Sequence, residues 1–247
     1  MAANEIPQSK IDEFIRRLRD AAGPNLHSVI LYGSAVSGGF DAQYSDLNLL
    51  CVLRDSSYTA LDDISPAVGW WTKQKQRVPL IMVREELERS ADVFAIELID
   101  MRDHHRVLYG EDILKDLQIP MHLHRAQLEY ELREKLILLR QRLLMAAGDE
   151  GRMWELLVRS LPSFATLFRH ALLVMGETTS PTKRENTRVL AARLGFDGKV
   201  FDELFDLRDH KADAKKMDVR EVASRYLAAV ESVTAAVDRM LDSPRER

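Results

Sequence analysis

Cysteine is nearly missing from this sequence: Cys51 is the single thiol in 247 residues. One cysteine excludes an intramolecular disulfide framework and points to a reducing compartment. Its place inside the apolar run Leu47–Leu53 reads as a small buried strand residue rather than a nucleophile. Long apolar runs are missing too. With no stretch of about 18 apolar residues, no membrane-crossing helix is expected. The opening MAANEIPQSKIDEF carries acids early and has no apolar core, unlike a secretory signal, so a soluble cytoplasmic protein is the expectation. There is no excess of positive charge. Lys and Arg number 35 against 39 Asp and Glu, a formal net charge of −4, so no global field draws in nucleic acid or an anionic membrane. A basic strip with interleaved aromatics is also lacking, which argues against nucleic acid as a partner. Internal repeats and low-complexity stretches are absent.

What is present is 46% hydrophobic residues, enough core for one large domain or two ordinary ones. Ile11, Phe14, Ile15, Leu18 and Ala22 share one helical face, with Ser9 as the expected N-cap and Gly23-Pro24 as the stop. Strands are expected at Ser28–Tyr32, Leu47–Leu53, Val78–Val83 and Val93–Met101, with helices at Tyr58–Lys75 and Glu85–Ser90. Beyond Pro120 the pattern turns wholly helical. Leu128, Leu132, Leu136, Leu139 and Leu143 form one stripe, followed by helices at Met153–Met175, Lys183–Leu194, Lys199–His210 and Asp218–Leu241. Pro162 predicts a kink or restart in the second of these. The expected organisation is an α+β domain over 1–120, a small mixed sheet flanked by helices, then an all-α helical bundle over 121–247.

The window that carries chemistry is Ser28 to Leu53, SVILYGSAVSGGFDAQYSDLNLLCVL. A short strand ends in Gly33-Ser34, eleven residues intervene, and a second strand opens with Asp46-Leu47-Asn48. Glycine permits a turn tight enough for backbone to approach phosphate oxygens, and serine adds a hydroxyl donor. Residues two apart on a strand point to one face, so positions 46 and 48 aim together.

This ordered set resembles the signature of the nucleotidyltransferase superfamily, of the DNA polymerase beta and kanamycin nucleotidyltransferase type. The resemblance implies that Gly33 and Ser34 bind the nucleotide. It also implies that Asp46, Asn48 and an acid on a later strand hold Mg²⁺ or Mn²⁺ on a nucleoside triphosphate. Glu97 best matches that third acid, as a metal ligand or as the base that takes the acceptor's proton, and Asp46 and Glu97 are the implied catalytic residues. Asp100, the runner-up, faces the other way by strand parity. The implied activity is transfer of a nucleotidyl group to a hydroxyl of a small molecule or protein held by the helical half.

Two positions depart from the pattern. Asn48 stands where the family carries a second acid, and Ser37 where many relatives carry an arginine. They favour an alternative, a catalytically degenerate pseudoenzyme that acts as a ligand sensor or interaction scaffold. Other residues take plainer expectations. Asp41 serves its turn, Trp70-Trp71 packs in the core and at an interface that could support a homodimer, and His104-His105 and His122-x-His124 are solvated or interdomain. The Arg-x₄-His pattern of HEPN-type ribonucleases is missing from the helical half.

Overall fold

The computed structural model describes residues 6–37 and 46–242. The chain divides into two compact units, one ending at Met121 and one beginning at His122.

In the first unit, helix α1 (Gln8–Ala22) leads into strand β1 (Leu26–Tyr32). Strand β2 (Asn48–Leu53) is followed by helix α2 (Tyr58–Lys73), strand β3 (Leu80–Val83) and helix α3 (Arg84–Arg89). Helix α4 (Ala95–Asp103) and strand β4 (His105–Gly110) complete it. The sheet order is β3-β2-β1-β4, with β1 antiparallel to both β2 and β4, and β2 parallel to β3.

Strand alternation sorts the core into two layers. Val29, Leu31, Leu49, Cys51 and Leu53 face α1 and α2, where Phe14, Leu18, Ile64 and Trp71 pack against them. Ile30, Leu50 and Val52 face the opposite side, where Leu87, Leu98, Met101 and Leu114 meet them.

Several expectations are corrected. Ser9 does not cap α1: the helix already includes Gln8, and Pro7 holds the cap position without a side-chain bond. The segment Val93–Met101 is not a strand. Residues 95–103 form helix α4, with Ala95, Ile96, Leu98, Ile99 and Met101 buried. An apolar run this short carries no period that separates strand from buried helix. Burial on neighbouring turns then produces the continuous apolar stretch that mimics a two-sided strand. The fourth strand is instead His105–Gly110. Gly110 closes it at φ +77°, where an added Cβ would sit 2.0 Å from the His27 carbonyl oxygen, so only glycine fits.

The second unit is helical throughout its described regular structure, apart from the short turn at Ala214–Lys216. Helix α5 (His124–Ala146) precedes α6 (Glu150–Val174), α7 (Lys183–Leu194), α8 (Lys199–Arg208) and α9 (Val219–Asp242). Helix α6 packs against each of the other four. Its Phe164 and Phe168 meet Tyr226 and Phe201 at ring separations of 5.8 and 5.1 Å. Pro162 lies inside α6 without a restart. Proline lacks the N–H that would bond the Val158 carbonyl, and the buried side chains on either side of it hold the helix together. The Pro162 carbonyl takes the Lys183 ammonium at 3.1 Å.

Candidate functional site

The site is built where β1 ends and β2 begins. Gly33 follows Tyr32 at φ +79°, in the left-handed region that favours glycine. Its N–H donates to the His104 carbonyl at 3.2 Å, and its carbonyl accepts the N–H groups of Val36 and Ser37. Glycine at this position therefore supplies shape, not a free donor. The N–H groups of Ser34 and Ala35, at the start of the turn, meet no acceptor among the described residues. A Cβ on Gly33 would lie 3.1 Å from the Asn48 Nδ2, so the Asn48 amide is seated directly on the turn.

Asp46 and Asn48 are each partly exposed, while Leu47 between them is buried in the α1–α2 layer. Strand β2 opens at Asn48 rather than at Asp46, so Asn48 falls on the parity of Leu50 and Val52, the side covered by α3 and α4, while Asp46 precedes the strand. Tyr32 pairs with Asn48 in register and packs against that same layer. Burial pushes the Tyr32 phenol above its ordinary pKa, the positive charge of Arg77 pulls it back, and the Glu97 carboxylate adds to the rise. Glu97 is exposed in the first turn of α4. The expected position on a strand is thus corrected to a helix, although its charge still reaches the end of β1. The fourth strand, HRVLYG, contains no acid. Asp100 is also on α4.

Arg77 joins the site from outside the motif window. Its Nε lies 2.7 Å from Asp46 Oδ2, with the two side chains 72% and 44% exposed. The Arg77 carbonyl accepts the indole N–H of the fully buried Trp71 at 2.8 Å, which ties this loop to the core. Gln76 beside it accepts from the Leu47 N–H at 3.4 Å. The parallel pairing of β2 with β3, Leu50 opposite Leu80, brings these segments together. No local pattern reports a pairing across a crossover.

Among the described residues, no three His, Cys, Asp or Glu side chains gather as a group that could hold a metal ion. The pair at positions 46 and 48 offers one carboxylate, already ion-paired, and one neutral amide. This donor set does not fit the two-carboxylate clamp of a two-metal centre. Ser37 donates its backbone N–H within the turn. The expectation for Asp41 falls outside the described residues.

The histidines also depart from expectation. The His105 ring lies between the Arg102 carbonyl, 2.9 Å from Nδ1, and Asp112, 3.0 Å from Nε2. His124 is buried rather than solvated, its Nε2 2.8 Å from Nδ1 of the buried His170 on α6.

The mixed sheet, its two helical layers and the helical unit that follows make a nucleotidyltransferase fold. The chain is similar to spectinomycin adenyltransferase from Enterococcus faecialis, a structure with ATP and spectinomycin. The TM-score is 0.55 and the identity 15%, over 91% of this chain and 99% of that one. At that identity the likeness establishes the fold alone. Weaker likenesses are to a toxin-antitoxin structure with AMP-PNP and to a nucleotidyltransferase-like protein from Exiguobacterium sibiricum 255-15. The first has a TM-score of 0.33 and 18% identity, over 53% of this chain and 99% of that one. The second has a TM-score of 0.36 and 14% identity, over 92% of this chain and 75% of that one. No family model and no curated protein matches the sequence.

Proposed function

We propose that this protein binds a nucleoside triphosphate at the Gly33-Ser34 turn, and that binding rather than rapid transfer is its working function. The observation that carries this reading is the seating of Asn48 on Gly33. The turn keeps the shape of a phosphate-approaching backbone, with the Ser34 hydroxyl and the Ser34 and Ala35 N–H groups as its donors. The neighbouring acid pair, however, has lost one of its two charges. A ligand sensor or interaction scaffold needs the first property and not the second. Residues 1–120 then form the nucleotide domain, and the helical domain over 121–247 holds a small-molecule or protein partner.

A second reading, slow transfer of a nucleotidyl group, is favoured by the electrostatic reach of Glu97 to Tyr32. In it, Glu97 takes the proton of the attacking hydroxyl and pyrophosphate leaves. A Mg²⁺ or Mn²⁺ ion would find only one carboxylate at positions 46 and 48 to hold it.

Titration calorimetry with the four nucleoside triphosphates tests the site. Ser34→Asp places a like charge in the turn and is expected to abolish binding while the unfolding midpoint stays within about 2 °C, a shift of at most roughly 1 kcal/mol. Equal binding by the variant would move the ligand elsewhere. Release of pyrophosphate that depends on an added acceptor and stops in Glu97→Gln would favour the second reading.

A further inference from the structure

We propose that the Arg77 guanidinium takes the place beside Asp46 that a divalent cation takes in a two-carboxylate centre, so the site holds a triphosphate in metal-free form. This rests on the nucleotide-binding reading and adds to it the charge state of the ligand.

Charge is the first support. Two acids at positions 46 and 48 would repel a triphosphate unless metal ions lay between them. Here there is one acid, one neutral amide and one arginine, so the Asp46 charge is met by Arg77 before any ion is bound, and the Glu97 carboxylate is the further negative charge that reaches this end of β1. Geometry is the second. Arg77 meets Asp46 through Nε, and its two Nη groups meet no acceptor among the described residues. A guanidinium held by one edge presents its other N–H donors as a fork that matches phosphate oxygens. It can therefore bridge a carboxylate and a phosphate, the task a cation performs in an acidic pair. Anchoring is the third. The hydrogen bond from Trp71 fixes the Arg77 backbone to the core, so the fork starts from a defined position rather than from a loose loop. The charge also reaches the right place, since it acts on the Tyr32 phenol opposite Asn48. The Asp46–Arg77 pair is exposed on both sides, worth about 0–1 kcal/mol, so an arriving polyanion can reorient it at small cost.

The test is equilibrium binding of ATP and of inorganic tripolyphosphate to the whole protein, once in EDTA and once in Mg²⁺. Both ligands are expected to bind in EDTA. Arg77→Gln is expected to weaken that metal-free binding about tenfold or more, tenfold being 1.4 kcal/mol. Arg77→Lys, with the charge but not the fork, should recover only part. The double variant Asn48→Asp with Arg77→Gln regains two acids and is expected to bind ATP only with Mg²⁺. Arg77 is exposed, so unfolding midpoints should stay level across the series. Binding that vanishes in EDTA, or equal metal-free binding by wild type and Arg77→Gln, overturns the arginine assignment and leaves the nucleotide reading standing. No binding of either ligand under either condition removes both.

Discussion

At the scale of single residues, chemistry is set by burial and by what each side chain touches. Cys51 shows this directly. It is fully buried in β2, and burial pushes its thiol pKa up to about 12. Because the thiolate is the reactive form, the native protein should resist alkylation at neutral pH and react only on unfolding. Iodoacetamide labelling with and without denaturant checks this, and rapid labelling of the folded chain would contradict it. The expectation of a small buried strand residue was available in the sequence, because a cysteine flanked by Leu50 and Val52 has apolar neighbours on both faces. The face taken by Asn48 was legible for a similar reason, since strand parity is a local property, whereas Asp46 precedes the strand. Arg77 was not legible. It follows an ordinary helix, and its partner lies across a parallel crossover, so nothing within several residues of it marks it as part of the site.

At the scale of elements, legibility followed period and punctuation. Helix α7 runs from Lys183 to Leu194 as expected, because Thr182 caps its start by accepting from the Glu185 N–H, and Gly195 ends it in a left-handed turn. Helix α4 was missed because a nine-residue helix buried on several sides shows no amphipathic stripe. That error placed Glu97 on a strand, whereas it lies in the first turn of a helix. Packing between elements has a polar component as well. Arg225 on α9 forks onto Glu203 of α8 with two contacts of 3.0 Å, and its Nε meets Asp197 at 2.6 Å. Partial burial raises the Asp197 pKa, but the hydrogen bond and charge of Arg225 outweigh it and hold the carboxyl below the ordinary aspartate value. A depressed folded-state pKa contributes stability that is present above the ordinary value of 3.8 and lost as pH falls through the folded value. Asp197→Asn should therefore cost up to about 1 kcal/mol at pH 7, modest because the pair is partly exposed, and progressively less on the acid side of the aspartate range. Urea unfolding at several pH values measures the difference; a pH-independent cost would show that the charge is not responsible.

At the scale of the whole molecule, two units each carry their own core. The change from strands to a wholly helical pattern beyond Pro120 reflects a real change in packing, from sheet layers to helices gathered around α6. The change of packing was therefore open to inference from period, although α4 and β4 were not, while the state of the site depended on one amide and one distant arginine. The nucleotide-binding proposal requires that the folded chain take a nucleoside triphosphate. The most direct measurement is the unfolding midpoint of the intact protein with each of the four nucleoside triphosphates, with and without Mg²⁺. A ligand bound only to the folded state at a hundredfold excess over its dissociation constant adds about 2.7 kcal/mol. In a chain of this size, that is a rise of roughly 5–10 °C. Such a rise is expected with at least one triphosphate and should be retained when Mg²⁺ is left out; a midpoint that none of the four moves under either condition would contradict nucleotide binding.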